Sequence, residues 1–285
     1  MIELSQTALI AAWFTTVGAV VGSFLNVVIA RVPRGQSIVR PGSRCPRCKT
    51  PIHWYDNVPI LSWLLLRARC RACRAPISAR YPLVEALVAG AAWLAWHRHG
   101  LSGAAAAELA VVAALLALAF IDLDTWLLPN VITWPLIVAG PILTALGVTT
   151  VPSLKESLYG AGVGFAVFAA VSWIGAKVFR KEALGFGDVW LLSGLGACLG
   201  VKALLPVILF ASLQGSILGI LLLKLHRESP EKAAEPLEPA DPSDPDWKPD
   251  RHHVPFGPFL VAGALEWLYL ADAIARWVPT LEIFR

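Results

Sequence analysis

The sequence predicts an all-α polytopic membrane protein, with about eight transmembrane helices and a small zinc-ribbon-like cytoplasmic loop domain. The membrane part rests on composition. Of 285 residues, 56% are hydrophobic and only 15% charged, where a soluble domain holds about a quarter charged residues. The mean hydropathy of +0.63 agrees. The loop domain rests on two C-x-x-C motifs in a basic segment between the first two apolar runs.

Apolar runs of about 18 residues or more are long enough, as helices, to cross a bilayer core. They fall at 8–30, 81–97, 104–121, 131–149, 158–178, 189–199, 203–225 and 259–277, the sixth being short and glycine-rich. The opening "MIELSQTALIAAWF" lacks the basic n-region of a secretory signal and leads to no clean small-residue cleavage site, so it reads as a retained first helix.

Next comes the densest positive segment, with Arg31, Arg34, Arg40, Arg44, Arg47, Lys49, Arg67, Arg69, Arg71, Arg74 and Arg80. Positive charge of that density marks the cytoplasmic side. Counting helices from there puts the amino terminus outside, and Lys177, Arg180, Lys181 and the segment 224–251 inside. The outer loops keep scattered charges such as Lys155 and Lys202. The net charge of +4 therefore follows membrane topology and is no nucleic-acid signal.

The chain divides into a first transmembrane helix (1–30), a cytoplasmic tetracysteine loop (31–80) and a transmembrane domain (81–285). The last carries an insertion at 226–253 whose Pro, Glu and Asp content predicts a flexible cytoplasmic segment. No internal repeat is apparent.

Cys45 and Cys48 form one C-x-x-C, Cys70 and Cys73 the second, at a separation close to that of zinc ribbons. Two knuckles presenting two thiolates each can close a tetrahedron around Zn²⁺, and a loop with few core residues would draw much of its fold from that metal. Disulfides are disfavoured in a reducing cytoplasm, and a thioredoxin-like role would call for one C-x-x-C near a βαβ pattern. Four protein thiolates leave no open position, so the metal is expected to be structural. Cys198, alone in an apolar run, reads as a small packing residue.

Two places put carboxylates where an apolar helix meets the inside: "LAFIDLDTWLLPN", with Asp122 and Asp124, and "KEALGFGDVWLLSGLG", with Asp188. An unpaired charge near the bilayer centre costs a few kcal/mol or more. Two carboxyls brought together in a low-dielectric site share a proton; one can then activate water while the other polarises a carbonyl, which is aspartic-protease chemistry. Gly185 and Gly187 would let the backbone bend and an extended peptide approach Asp188. The plain alternative makes Asp188 a helix N-cap and Asp122 and Asp124 solvated interfacial carboxylates.

With these residues in view, the chain resembles the bacterial type IV prepilin peptidases, leader peptidase/N-methyltransferases of the integral-membrane aspartic peptidases. The resemblance rests on "VVGSFLNVVIARVP", the two C-x-x-C pairs, "DNVPILSWLLLRARCRAC", "YPLVEAL", "FIDLDTWLLPN", "EALGFGDVWLLSGLGACLG" and "VPFGPFLVAGAL", in order over nearly the whole chain. It departs in a longer loop at 228–251, in "LPN" where many members have "LPD", and in Trp190 where lysine is commoner.

The resemblance implies that Asp188 is one catalytic aspartate and that Asp122 or Asp124 is the other. Spacing to Pro129 favours Asp122, with Asp124 tuning its neighbour. It further implies leader cleavage of type IV prepilins or type II secretion pseudopilins at the cytoplasmic face of the bacterial inner membrane. N-methylation from S-adenosylmethionine would follow, with Glu85, Asn26 and "NVPILSW" as contributors.

A rival reading is a non-enzymatic assembly or transport protein with a zinc knuckle for docking. Transport would need ionisable groups through the membrane, and the spans offer few beyond Glu85, Glu108 and Glu266.

Overall fold

The computed structural model describes residues 2–149, 151–179, 185–225 and 255–277. The expected insertion at 226–253 lies outside these residues, as do residues 182–184 just before the Gly185 turn. Among the described residues the helices are α1 (Ile2–Arg31), α2 (Leu61–Leu65), α3 (Arg80–His99), α4 (Gly103–Thr125), α5 (Asn130–Ala145), α6 (Leu154–Phe179), α7 (Phe186–Leu199), α8 (Val201–Leu225) and α9 (Gly257–Trp277). All but α2 stand where the eight apolar runs do.

Five helices, α1, α4, α6, α8 and α9, are long and apolar enough to cross a membrane by length and composition; α5 and α7 are apolar but shorter. With α3, which is 20 residues long but less apolar, they make a multi-pass bundle. The fourth run ends earlier than expected, at Ala145, because Gly147 takes a positive φ of 68° and breaks the helix.

The weakest run by sequence is the central helix. Every residue of α7 from Asp188 to Cys198 is buried except the half-buried Trp190, amid α5, α6, α8 and α9. A helix that faces protein on all sides need not match the bilayer thickness, and its glycines let neighbours close in. A Cβ on Gly164 of α6 would strike the Leu192 carbonyl oxygen at 2.5 Å. Without a hydrophobic drive between helices in lipid, such backbone approach is a main source of association.

The amino-terminal helices use the same device. Cβ atoms on Gly18 and Gly22 of α1 would lie 2.5 Å from Ala92 Cβ and 2.7 Å from Glu85 Cα of α3. α4 joins the two groups: Val112, Leu116 and Ile121 pack with α1 and α3, while Leu115 and Leu118 pack with α5 to α9. Both cores thus meet on the helix that carries Asp122.

The membrane carboxylates expected to mark any transport path are locally tied. Glu85 accepts from the Ile60 amide (2.7 Å), Glu108 pairs with Arg98 (2.9 Å) and His99 (2.8 Å), and Glu266 accepts from Gln214 (2.8 Å).

Between α1 and α3 the chain forms two matching knuckles. Isolated bridges pair Arg44 with Pro51 and Arg69 with Pro76. Within them the Cys45 amide donates to Thr50 O (3.0 Å) and the Cys70 amide to Ala75 O (2.8 Å), while Lys49 and Arg74 take φ of 61° and 58°. The match is a nine-residue repeat, "RCPRCKTPI" against "RCRACRAPI", too short to stand out in a search for long repeats.

Candidate active site

α4 ends at the first carboxylate. Trp126 turns to φ 57° and its amide donates to the Asp122 carbonyl (2.9 Å), closing the helix before "LLP" leads into α5. Asp122 and Asp124 are two residues apart, about 200° around a helix, and so point to opposite sides. Asp122 is buried at 5% exposure. Its Oδ2 accepts from the Gly257 amide at 3.1 Å, so the amino-terminal end of α9 is aimed at this carboxylate, the arrangement that favours an anion.

Asp124 faces outward, half exposed, and forms an ion pair with Arg80. The same guanidinium donates to Phe120 O (2.9 Å) and lies over the Phe120 ring at 4.9 Å. The first residue of α3 thereby grips the last turn of α4.

Asp188 arrives from the other side. The start of α7 is capped by Gly185 through its backbone, with no side-chain cap; Asp188 lies in the first turn, its amide donating to Gly185 O (3.0 Å). Its carboxyl is buried, 9% exposed, and among the described residues Oδ1 has no hydrogen-bond partner. The charge of Asp122 acts on it. A buried polar atom left without a partner is rare and marks a functional atom or one awaiting a ligand.

Two glycines let the backbone close in on Asp122 and on the turn that follows it. A Cβ on Gly257 would stand 2.5 Å from Asp122 Oδ2, and one on Gly187 would stand 2.8 Å from Leu128 Cβ, in the "LLP" turn. Gly185 is different: φ is an ordinary −64°, and among the described residues a Cβ there would meet only Asp188 Oδ2, at 3.7 Å. Gly257, Arg80 and Leu128 were not singled out by sequence. Gly257 had a signal in "VPFGPF", a lone glycine opening an apolar run.

The tetracysteine cluster can hold a metal ion. The four Sγ atoms of Cys45, Cys48, Cys70 and Cys73 lie within 4.8 Å of one another, with Cys45 and Cys73 at 3.9 Å. A tetrahedral Zn²⁺ with bonds of about 2.3 Å needs sulfurs about 3.8 Å apart. The Thr50 hydroxyl and amide draw the Cys48 thiol down to about 6. Backbone amides of Cys73 and Ala72 lower Cys70. Cys73 is drawn down by the Ala75 amide, but burial and the neighbouring thiols push it up to about 11. Four thiolates are not stable side by side unaided, and a divalent cation would make them so.

Glu85 and Asn26 sit elsewhere, Glu85 near the start of α3 and Asn26 on α1 facing it. Asn26 Nδ2 donates to Tyr81 O (3.2 Å) and Gly22 O (3.3 Å), and Glu85 holds Ile60. Both tie α1, α3 and the loop together.

Residues 16–99 match the model of the bacterial peptidase A24 N-terminal domain, and residues 109–220 match that of the type IV leader peptidase family. Among curated proteins, a Myxococcus xanthus protein named prepilin leader peptidase/N-methyltransferase is 42% identical, over 95% of this chain and 93% of its own length. Proteins of the same name from Aeromonas hydrophila and Pseudomonas aeruginosa are 37% and 35% identical; each alignment covers 91% of this chain and 90% of the relative. No solved structure gives a significant match.

Proposed function

Since the chain belongs to the type IV leader peptidase family, we propose that it is a membrane aspartic endopeptidase. It removes the leader of type IV prepilins or type II secretion pseudopilins and then methylates the new amino terminus. The observation that carries the peptidase reading is the pair of buried carboxyls, Asp122 acting on Asp188 by its charge, with Asp188 Oδ1 unpartnered among the described residues.

Asp122, with the Gly257 amide and the α9 terminus behind it, is suited to the charged role of general base. It takes a proton from the attacking water. Asp188 in its protonated form donates to the carbonyl oxygen of the scissile peptide as the tetrahedral carbon forms; Asp122 then passes its new proton to the leaving amine as the C–N bond breaks, and Asp188 regains a proton from the collapsing diol. Gly185, which brings no side chain beside Asp188 Oδ2, would let an extended backbone approach that carboxyl. Asp124, held by Arg80, supports the α4 terminus and takes no part in proton transfer.

The Arg80–Asp124 pair and the charge of the loop support a cytoplasmic site. The pair fastens the base of the tetracysteine loop to the α4 end that bears Asp122. The positive-inside rule puts that basic loop in the cytoplasm of a bacterial inner-membrane protein. A leader in water and a substrate helix in lipid would meet at this depth.

The metal of the cysteine cluster is assigned as structural Zn²⁺, since four thiolates leave it no open position. S-adenosylmethionine supplies the methyl group for the second step, a role taken from the relatives' name. Glu85 and Asn26 would act on that step by holding the loop against α1 and α3. The test is incubation of the purified protein with a prepilin and S-adenosylmethionine, followed by mass spectrometry. Wild type should yield a leaderless, monomethylated product and Asp188→Asn should yield none. Full cleavage by a correctly inserted Asp188→Asn variant would sink the mechanism.

A further inference from the structure

The segment between the two cysteine knuckles is inside out for a loop surrounded by water. α2 turns its polar side inward: the buried Ser62 hydroxyl donates to Tyr55 O (3.0 Å) and accepts from the Val58 amide (3.0 Å), and the Trp63 indole N–H donates to Ile77 O (3.0 Å). The opposite face carries Leu61, Leu64 and Leu65, spaced as one stripe on a helix. They are 57%, 56% and 83% exposed, and Trp54, in the turn packed against α2, is 82% exposed. Arg67 and Arg69, also exposed, follow at once.

The depth of this stripe is fixed by bonds to the spanning helices. The Ile60 amide, immediately before α2, donates to Glu85 Oε2. Glu85 is five residues into α3, about 7.5 Å along the axis from Arg80. On α1 the facing residue is Gly22, where a Cβ would stand 2.7 Å from Glu85 Cα. Gly22 is nine residues before Arg31, about 13 Å from that end of the helix. The start of α2 is thus tied to a point within the length of α1 and α3 and not to their ends.

We propose that α2 is an interfacial helix: Leu61, Leu64 and Leu65 insert into the bilayer the protein itself spans, and Arg67 and Arg69 meet its anionic headgroups. Short apolar stripes flanked by arginine, with tryptophan nearby, are the chemistry of such segments. Lipid is favoured over a protein partner because the Ile60–Glu85 bond ties the stripe to α3 and its basic flank complements anionic lipid. The tetracysteine domain would then rest on the membrane at a fixed height. The proposal needs only that α1 and α3 span the bilayer, and it stands or falls separately from the peptidase assignment.

The test places the photo-reactive residue p-benzoylphenylalanine at Leu65 of the full chain, in vesicles of phosphatidylethanolamine and phosphatidylglycerol. After irradiation, lipid adducts are measured by mass spectrometry. Arg47, exposed in the first knuckle, serves as the aqueous control, and Leu213, 59% exposed on α8, as the lipid-facing one. The expected lipid adduct at Leu65 approaches that at Leu213 and exceeds that at Arg47 by at least about tenfold, as insertion of an apolar face requires. A yield no greater than at Arg47, or adducts only to protein, would overturn the proposal. The same comparison at Leu61 decides the question if the Leu65 variant fails to fold, as judged by its metal content.

Discussion

Replacing Gly257 with alanine tests the contact on which the proposed site depends. The new methyl would stand 2.5 Å from Asp122 Oδ2, 3.2 Å from its Cγ and 3.4 Å from Leu128 Cδ1. Ordinary contact needs about 3.4 Å or more, so carboxylate and helix end must part by roughly 1 Å, and a misplacement of that size can cost about 10²-fold in rate. The Gly257 amide, now 3.1 Å from Oδ2, would be pushed out of hydrogen-bond range. A hydrogen bond to a charged group contributes about 1.5–3 kcal/mol, which matches a 10²-fold loss at about 1.4 kcal/mol per decade. Two routes thus give the same expectation: kcat for leader cleavage falls about 10²-fold with KM little changed. The assay is initial-rate cleavage of a synthetic prepilin by purified variant in detergent, with metal content and thermal unfolding as fold controls. A folded Gly257→Ala enzyme with more than about half the wild-type kcat would show that Asp122 Oδ2 is not at the reacting centre.

Two further variants probe what surrounds the pair. Arg80→Ala removes the bonds to Asp124 and Phe120 O; because the ion pair is partly exposed it should contribute about 1 kcal/mol or less. Cleavage should slow by about twofold to fivefold, and Arg80→Lys should recover part of the loss; an unchanged rate in Arg80→Ala would remove Arg80 from the account. Cys45→Ser with Cys70→Ser should empty the metal site and lower the unfolding temperature, costing methylation more than cleavage. Metal analysis of the purified double variant checks this directly, since an unchanged zinc content would refute the assigned ligands.

The bundle was legible because lipid imposes a simple rule: a spanning helix must be apolar over about 20 residues, and each of the eight runs coincides with a helix. What composition could not convey is which helices face lipid. α7, the least convincing run, is short and glycine-rich because protein surrounds it. Asp188 and the cysteines stood out because carboxylates and thiols are conspicuous in an apolar chain. Gly257 did not, since a glycine's contact with a residue 135 positions away leaves no local pattern. Asp122 and Asp124 looked alike for a similar reason: their difference is made by partners, a helix terminus for one and Arg80 for the other. In α2, five residues are too few for periodicity, so only the three-dimensional placement of Ser62 and Trp63 reveals that its leucines face outward.

The measurement that bears most directly on the central claim is a side-by-side cleavage assay of Asp122→Asn and Asp124→Asn, both purified with metal bound. A carboxylate at the reacting centre and one in a half-exposed ion pair should respond very differently. Asp122→Asn is predicted to leave no measurable leader cleavage, while Asp124→Asn keeps at least about a tenth of the wild-type rate. An active Asp122→Asn beside a dead Asp124→Asn would contradict the account and move the catalytic role to the carboxylate now paired with Arg80.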